Sequence, residues 1–252
     1  MQDGLPRVIT HNLISVDGRV AISPGIPLIS DHRWPTSVES PYADVVRRHH
    51  PQVLLEGSGS LVLEGQEPPQ LPGASLDATT LRADSVPPTA RARATRGWFT
   101  VVDSRGRVRW QFKEFPGEEW KGWHLLVLVS ATTPLAYLEF LRREEIPYLV
   151  VGPSRVDLAA AMTALHERLG VTTVVSTAGA RLNGALLRAG VVDEIEIEVV
   201  PIAVGGTTTP TMFTTTDLGP DDPAVSLRLL GVEQVPHDRV LLRYAVLPAE
   251  PT

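Results

Sequence analysis

No cysteine occurs in the 252 residues, and lysine is nearly absent: Lys113 and Lys121 are the only two, so almost all positive charge is arginine. The missing thiols remove disulfides, thiolate nucleophiles and zinc–thiolate sites together. The formal net charge is −6, and no basic cluster interleaved with aromatics offsets it. That balance argues against a nucleic-acid partner. Long apolar runs are also lacking. Stretches such as Leu125–Val129 and Tyr148–Val151 fall far below the ~20 residues of a membrane helix. The start, MQDGLPRVITHN, has neither the basic opening nor the apolar core of a signal peptide. The expectation is a cytoplasmic globular protein with no membrane span. Its 43% hydrophobic content suffices for one large domain or two small ones.

What is present is a repeating alternation of strand and helix. Residues 174–206 show it best: a buried strand, a small-residue turn (Thr177-Ala178-Gly179-Ala180), a short helix bearing Leu182, Leu186 and Leu187, and Gly190 as its stop. Alternating Ile195, Ile197 and Val199 follow, ended by Pro201 and then Gly205-Gly206. In that layout, N–H groups at a helix start can face a phosphate, although ordinary packing gives the same pattern.

Residues 7–14 read as a first, central strand, followed by Ser15-Val16-Asp17-Gly18-Arg19. Polar residues at the end of a central strand lie where open α/β sheets bind ligands. The Asp-Gly pair is also a turn signal by itself, and the plain turn is the favoured reading there. Residues 36–49 have helical spacing, with Thr36 or Ser37 as cap and Val38, Tyr42, Val45 and Val46 on one face. His49-His50 ends that helix; with no carboxylate at ligand spacing, the pair reads as solvated, and no metal site is expected. His166, between Leu165 and Glu167, also reads as a surface residue.

A strand at 52–56 runs into Gly57-Ser58-Gly59-Ser60. Strand followed by Gly-x-Gly lets backbone approach a phosphate, but the full G-x-G-x-x-G is not completed and the motif is weak alone. From 64 to 96, prolines break any periodicity, and a long irregular excursion is expected. Strands at 98–103, 124–130 and 147–152 follow. Thr132-Thr133-Pro134 and Asp157 open helices after the second and third of these, and Gly170 closes the later helix. Ser104-Arg105-Gly106-Arg107 at a strand end suits a phosphate or a polar hairpin turn equally. Two late strands, 226–231 and 239–246, form a hairpin around Pro236-His237-Asp238. The fold class expected is α/β, with a mainly parallel central sheet and an antiparallel C-terminal hairpin, in a single domain over 1–252.

Taken in order, these segments resemble the C-terminal reductase domain of the riboflavin-pathway RibD proteins and their stand-alone relatives. The resemblance covers nearly the whole chain. It rests on Ser15-x-Asp17-Gly18-Arg19, Gly57-x-Gly59-Ser60 and Val102-Asp103-Ser104-Arg105-Gly106-Arg107. Leu182-Asn183, Leu186-Leu187, Gly190-Val191-Val192-Asp193-Glu194, Pro201, Gly205-Gly206 and the closing strand pair extend it. The order and spacing are more specific than any single motif.

The resemblance implies a dihydrofolate-reductase-like three-layer α/β/α fold and NADPH-dependent reduction of a phosphoribosylamino-pyrimidine, 5-amino-6-(5-phosphoribosylamino)uracil, in a homodimer. It places Gly57, Ser58, Gly59 and Ser60 on the cofactor, with Ala178, Gly179, Ala180, Arg181 and Leu182 at the helix start. Ser104 and Arg105 fall at the adenosine 2′-phosphate. Asn12, Ser15, Asp17 and Thr177 fall on the substrate, with Asp17 as the candidate to orient a hydroxyl or relay a proton. One departure stands out: where the family usually reads Glu-Gly-Gly, this chain has Thr177-Ala178-Gly179. That loses a carboxylate and adds a methyl. It keeps open an NADPH-dependent reductase of another C=N or C=C substrate, such as a pterin, dihydrofolate or a secondary-metabolite intermediate. A nucleotide-binding relative without turnover also stays open. Without cysteine, no zinc-dependent deaminase domain is expected to precede it.

Overall fold

Short apolar runs and helical segments alternate along the chain, and they form the elements their patterns dictate. A computed structural model describes residues 4–30, 43–62, 67–114 and 117–248. In chain order the elements are β1 (Arg7–Ser15), β2 (Ala21–Ser23), β3 (Ile26–Pro27), α1 (Ala43–His49), β4 (Val53–Gly57), α2 (Ala78–Leu81), α3 (Pro88–Arg93) and β5 (Gly97–Val102). They continue with β6 (Trp123–Val129), α4 (Leu135–Arg143), β7 (Tyr148–Val150), α5 (Leu158–Leu169), β8 (Thr173–Ser176), α6 (Ala180–Arg188), β9 (Glu194–Val200), β10 (Leu227–Val235) and β11 (Arg239–Val246). The architecture is mixed α/β, with a mostly parallel sheet and an antiparallel hairpin at its C-terminal end.

The chain divides into two compact units. One holds Arg7–His50 and Val175–Thr252; the other holds Pro51–Val174 with Gln2–Pro6. In the first, the strand order is β10-β11-β9-β1. β1 and β9 run parallel, ending with Ser15 beside Val200, and β11 runs antiparallel to β9. In the second, β4-β5-β6-β7 are all parallel. Their register brings Gly57 beside Val102 and Val102 beside Leu128, so the carboxyl ends of the strands line up.

Local chemistry explains several elements. All seven residues of β6 are buried, as expected of a strand covered on both faces. In α5 the Asp157 side chain accepts from Ala160 N at 3.0 Å. Gly170 closes that helix in the left-handed region at φ 69°, and Leu158, Ala161, Met162 and Leu165 form the buried face. His237 (φ 67°) and Asp238 (φ 56°) reverse the chain between β10 and β11. α4 begins one residue later than its sequence signal, with Pro134 as the N-cap rather than the first helical residue.

Two expectations are altered. The excursion at 64–96 contains α2, capped by the Asp77 side chain on Thr80 N at 2.9 Å, and α3, with Pro88 in its first turn. Helices of four and six residues are too short to show periodicity. The part of that stretch at 64–66 lies outside the described residues. So do Thr36, Ser37, Val38 and Tyr42, and the described helix there is α1 alone.

His49 is the clearest correction. Its side chain is 3% exposed, and Nε2 lies 2.9 Å from Glu196 Oε1. Its carboxylate partner comes from 147 residues away, which no local spacing reveals. β9 reads EIEIEVV, and both its faces are covered: Glu194, Glu196 and Glu198 are all buried. The register puts His11 and Arg243 directly beside Glu196 on the neighbouring strands.

Candidate active site

Each unit presents its own polar loops at the carboxyl ends of parallel strands, where α/β proteins place ligands.

In the first unit, Ser15-Val16-Asp17-Gly18-Arg19 is a tight turn after β1. Gly18 takes φ 80°. Ser15 donates its hydroxyl to Asp17 Oδ1 at 2.7 Å and accepts from Arg19 N at 2.9 Å. Val204 N donates to Asp17 Oδ1 at 2.9 Å, and Gly205 N to Oδ2 at 2.7 Å. Arg19 donates to the carbonyls of Thr209 and Gly206, each at 2.6 Å. The motif therefore clamps the loop that follows β9. The Val204 N–H, then the Ser15 hydroxyl and the Gly205 N–H, hold the Asp17 carboxyl well below the usual carboxylate range. Near neutral pH Asp17 is an anion that accepts hydrogen bonds and has no proton to give.

Asn12 lies buried beneath the turn after β8. Its Nδ2 donates to Ala178 O at 3.0 Å, and its Oδ1 accepts from Asn183 Nδ2 at 2.7 Å. Asn183 also donates to Ala178 O at 2.9 Å and accepts from the Ser176 hydroxyl at 2.6 Å. This amide network fixes the path of 176–179. Ala178 is fully buried and Ala180 is 6% exposed. The methyl of Ala178 therefore points into the protein rather than toward a ligand. Gly179 and Arg181 are exposed, Leu182 is half-buried, and Thr177 is half-buried at the strand end. Gly179 caps α6 without a side chain. Leu182 N and Asn183 N donate to Gly179 O at 3.1 and 3.2 Å, so the N–H groups of Ala180 and Arg181 are the ones left for solvent or an anion. A Cβ at Gly179 would meet nothing within 4 Å. The sequence pattern does not single out Asn183 as a site residue, although a poor helix former inside a helix is a usable signal.

In the second unit, β4 runs into Gly57 and a short turn. Ser58 is 8% exposed, and its oxygen accepts from Arg107 Nη2 at 3.1 Å. Gly59 and Ser60 are exposed, and Ser60 donates to Glu56 Oε2 at 3.2 Å. The neighbouring turn after β5 is built on Asp103, whose Oδ2 accepts from Arg107 N at 2.8 Å, Val108 N at 2.9 Å and the Tyr137 hydroxyl at 3.1 Å. Burial, with the Asp103 carboxylate beside it, pushes the Tyr137 phenol far above its usual value and keeps it a donor. Ser104 is tied down: its hydroxyl accepts from Val156 N at 3.0 Å and its carbonyl from Thr133 Oγ1 at 2.8 Å. Arg105 is exposed and makes no hydrogen bond or ion pair among the described residues.

One further cluster has metal-ligating side chains: atoms of His49, Glu194 and Glu196 lie within 4.8 Å of one another. Its charges are already matched. Arg7 and Arg243 pair with Glu194, while Arg48 (3.1 Å) and Arg243 (3.2 Å) pair with Glu196. Two carboxylates thus face three guanidiniums, and a cation would have to displace them. Burial works to raise the Glu196 carboxyl, but the hydrogen bonds from His11 and His49 outweigh it and hold it well below the usual range. Among the described residues, no helix is long and apolar enough to cross a membrane.

Parallel strands ending in glycine- and hydroxyl-bearing loops place the chain in the class of α/β proteins with a mainly parallel sheet, in which ligands are commonly bound at the strand ends. Comparison with known families makes this specific: the chain belongs to the RibD C-terminal domain family, whose model matches residues 6–241. It is 26% identical over 224 residues to the 2,5-diamino-6-ribosylamino-4(3H)-pyrimidinone 5′-phosphate reductase of Methanothermobacter thermautotrophicus, covering 89% of this chain and 90% of that one. It is 24% identical to the riboflavin biosynthesis protein RibD of Bacillus amyloliquefaciens, over 84% of this chain but only 50% of that protein. Among solved structures, RibD of Acinetobacter baumannii superposes with TM-score 0.64 at 20% identity, over 98% of this chain and 59% of that chain. The Saccharomyces riboflavin biosynthesis reductase Rib7 gives 0.57 at 17%, over 98% and 92%. These likenesses show the dihydrofolate-reductase-like fold expected from the sequence.

Proposed function

We propose that the chain is a cytoplasmic NADPH-dependent reductase of a phosphoribosylamino-pyrimidine in riboflavin biosynthesis. The observation that carries this is the match to the Methanothermobacter reductase along nine-tenths of both chains. That relative's name specifies the diaminopyrimidinone phosphate rather than the aminouracil, and both are candidates here.

The residues of the second unit suit a phosphorylated dinucleotide. Among the described residues Arg105 is exposed without a hydrogen bond or ion pair and Ser58 retains a hydroxyl proton with no acceptor, while Gly59 leaves open space where a Cβ would stand. In this reading, Arg105 with Ser104 holds the 2′-phosphate through guanidinium geometry. Gly57, Ser58, Gly59 and Ser60 face the remaining phosphates. Gly179, Arg181, Leu182 and the backbone N–H groups of Ala180 and Arg181 hold an anionic group of cofactor or substrate, while the side chains of Ala178 and Ala180 contribute buried support. The nicotinamide supplies hydride, and the protein supplies distance, angle and exclusion of water. Asp17, as a carboxylate, accepts from a substrate hydroxyl next to Ser15 and Thr177, and Asn12 sets the turn from below.

A second reading, NADPH-dependent reduction of a different C=N or C=C bond, is favoured by Thr177 in place of the family carboxylate. With the Ala178 methyl buried, Thr177 is the only part of that departure that alters an accessible side chain. For a homodimer, the partner surface we infer is the edge strand β10, where Leu227, Leu229, Leu230 and Val232 are 40–61% exposed. Light scattering of the intact chain tests it, and a monomer at micromolar concentration refutes it.

The function is tested by following NADPH absorbance with the two pyrimidine phosphates and with dihydrofolate. Turnover of either pyrimidine, lost in Asp17→Ala, is expected. Tight NADPH binding with oxidation only by another substrate selects the second reading. Binding without oxidation across the panel points to a non-catalytic relative.

A further inference from the structure

We propose that Arg107 is a positioning residue for the turn after β4, and that it makes the Ser58 hydroxyl a donor for an anionic group of the bound dinucleotide. This deepens the cofactor reading above and rests on it. Arg107 Nη2 donates to Ser58 Oγ across 3.1 Å, from 49 residues away in sequence. A hydroxyl that accepts from a guanidinium turns its own proton away from that partner. The charge-assisted bond also draws electron density from the oxygen and strengthens its O–H as a donor. That proton finds no acceptor among the described residues, although Ser58 is more than nine-tenths buried. Beside it, a Cβ on Gly59 would meet nothing within 4 Å.

Arg107 is held in place by its own turn. Its backbone N–H is fixed on Asp103 Oδ2 at 2.8 Å, and Gly106 makes the reversal at φ 64°. Asp103 is 1% exposed, yet among the described residues its Oδ1 has no partner, and neither has the buried Nε of Arg107. Unpaired buried polar atoms are rare. An acceptor and a donor left open in one turn, joined to a hydroxyl whose proton is unused, mark a polar set that the described residues do not complete. Arg105 and Arg107 thus divide the work: the first touches the ligand, and the second acts through Ser58.

The test is a fluorescence titration of NADPH into the full chain and into Ser58→Ala, Arg107→Met, their double variant and Arg107→Lys, with a thermal midpoint for each. Each of the first two changes is expected to weaken binding about tenfold. The double variant is expected to be no weaker than either, because both remove the same interaction. Arg107→Lys restores part of the loss, since an ammonium can still donate to the hydroxyl. Unaltered binding by Arg107→Met or by Ser58→Ala overturns the inference, and so do losses that multiply in the double variant. If Arg107→Met fails to fold, Ser58→Ala and Arg107→Lys decide the matter. Failure of the unmodified chain to bind NADPH removes the cofactor reading and this inference together. Binding by the unmodified chain with no effect of the substitutions removes the inference alone.

Discussion

Two turns in this protein use the same residue types to different ends. Ser15-Val16-Asp17-Gly18-Arg19 and Asp103-Ser104-Arg105-Gly106-Arg107 each follow a parallel strand. Each contains an aspartate that accepts three hydrogen bonds and a glycine in the left-handed region, and each ends on an arginine. In the first, Arg19 reaches the backbone carbonyls of Gly206 and Thr209, and Asp17 takes the backbone N–H groups of Val204 and Gly205. Those bonds lock one loop to another. In the second, the aspartate is buried, Arg107 reaches a side-chain hydroxyl, and Arg105 is exposed with no partner among the described residues. The first turn commits most of its polar groups to the chain, with Arg19 Nε left without a hydrogen bond among the described residues; the second leaves more of them open, at Asp103 Oδ1, Arg107 Nε and Arg105.

The largest effect that would break this comparison comes from the buried aspartate. Asp103→Ala leaves the N–H groups of Arg107 and Val108 without their acceptor. It should cost about 2–4 kcal/mol of stability in denaturant unfolding, and a loss below 1 kcal/mol would deny the turn its anchor. Next, the two glycines should separate. Gly106→Ala places a Cβ 2.7 Å from Tyr137 Cγ, whereas a Cβ on Gly18 meets nothing within 4 Å. Both bear the left-handed penalty of about 1–2 kcal/mol. Only Gly106→Ala should exceed it, by about 1 kcal/mol or more, and equal losses would contradict the packing described.

Acidification sharpens the comparison further. The folded pKa values of Asp17 and Glu196 are both depressed below their ordinary values of 3.8 and 4.5. Their stabilisation is therefore fully present above those values and is lost as pH falls through the folded range. Stability should decline from about pH 5 downward, and Asp17→Asn should flatten that decline. An unchanged acid limb in the variant would count against Asp17 as the clamp's anion. The smallest effect is expected at Gly59→Ala, within about 0.5 kcal/mol of the parent in stability but weaker in NADPH binding. Equal NADPH affinity there would remove Gly59 from the ligand side.

How much of this was legible in the sequence follows from which contacts are local. Asp157 and Gly170 announce α5 because caps act within one turn, and β6 announces itself by an unbroken apolar run. Asp77 and Pro88 were equally local signals for α2 and α3, but helices that short give periodicity nothing to reveal. The alternation in β9 showed its apolar face. The burial of its glutamates did not show, because His11, Arg243 and His49 reach Glu196 only through strand pairing and helix packing. The site motifs were visible as turns of polar residues. Which atoms stay free was not, since the partner of Arg107 is Ser58 and that of Asn12 is Ala178, both distant in the chain. Ala178 shows the limit best: the sequence gives a methyl, and only the fold turns it inward.

The most direct measurement is a paired titration of NADPH and NADH into the unmodified chain and into Arg105→Ala. The account predicts that Arg105→Ala loses about tenfold in NADPH affinity with NADH binding unchanged, because the exposed guanidinium meets only the 2′-phosphate. Equal loss for both nucleotides, or none for either, would contradict it.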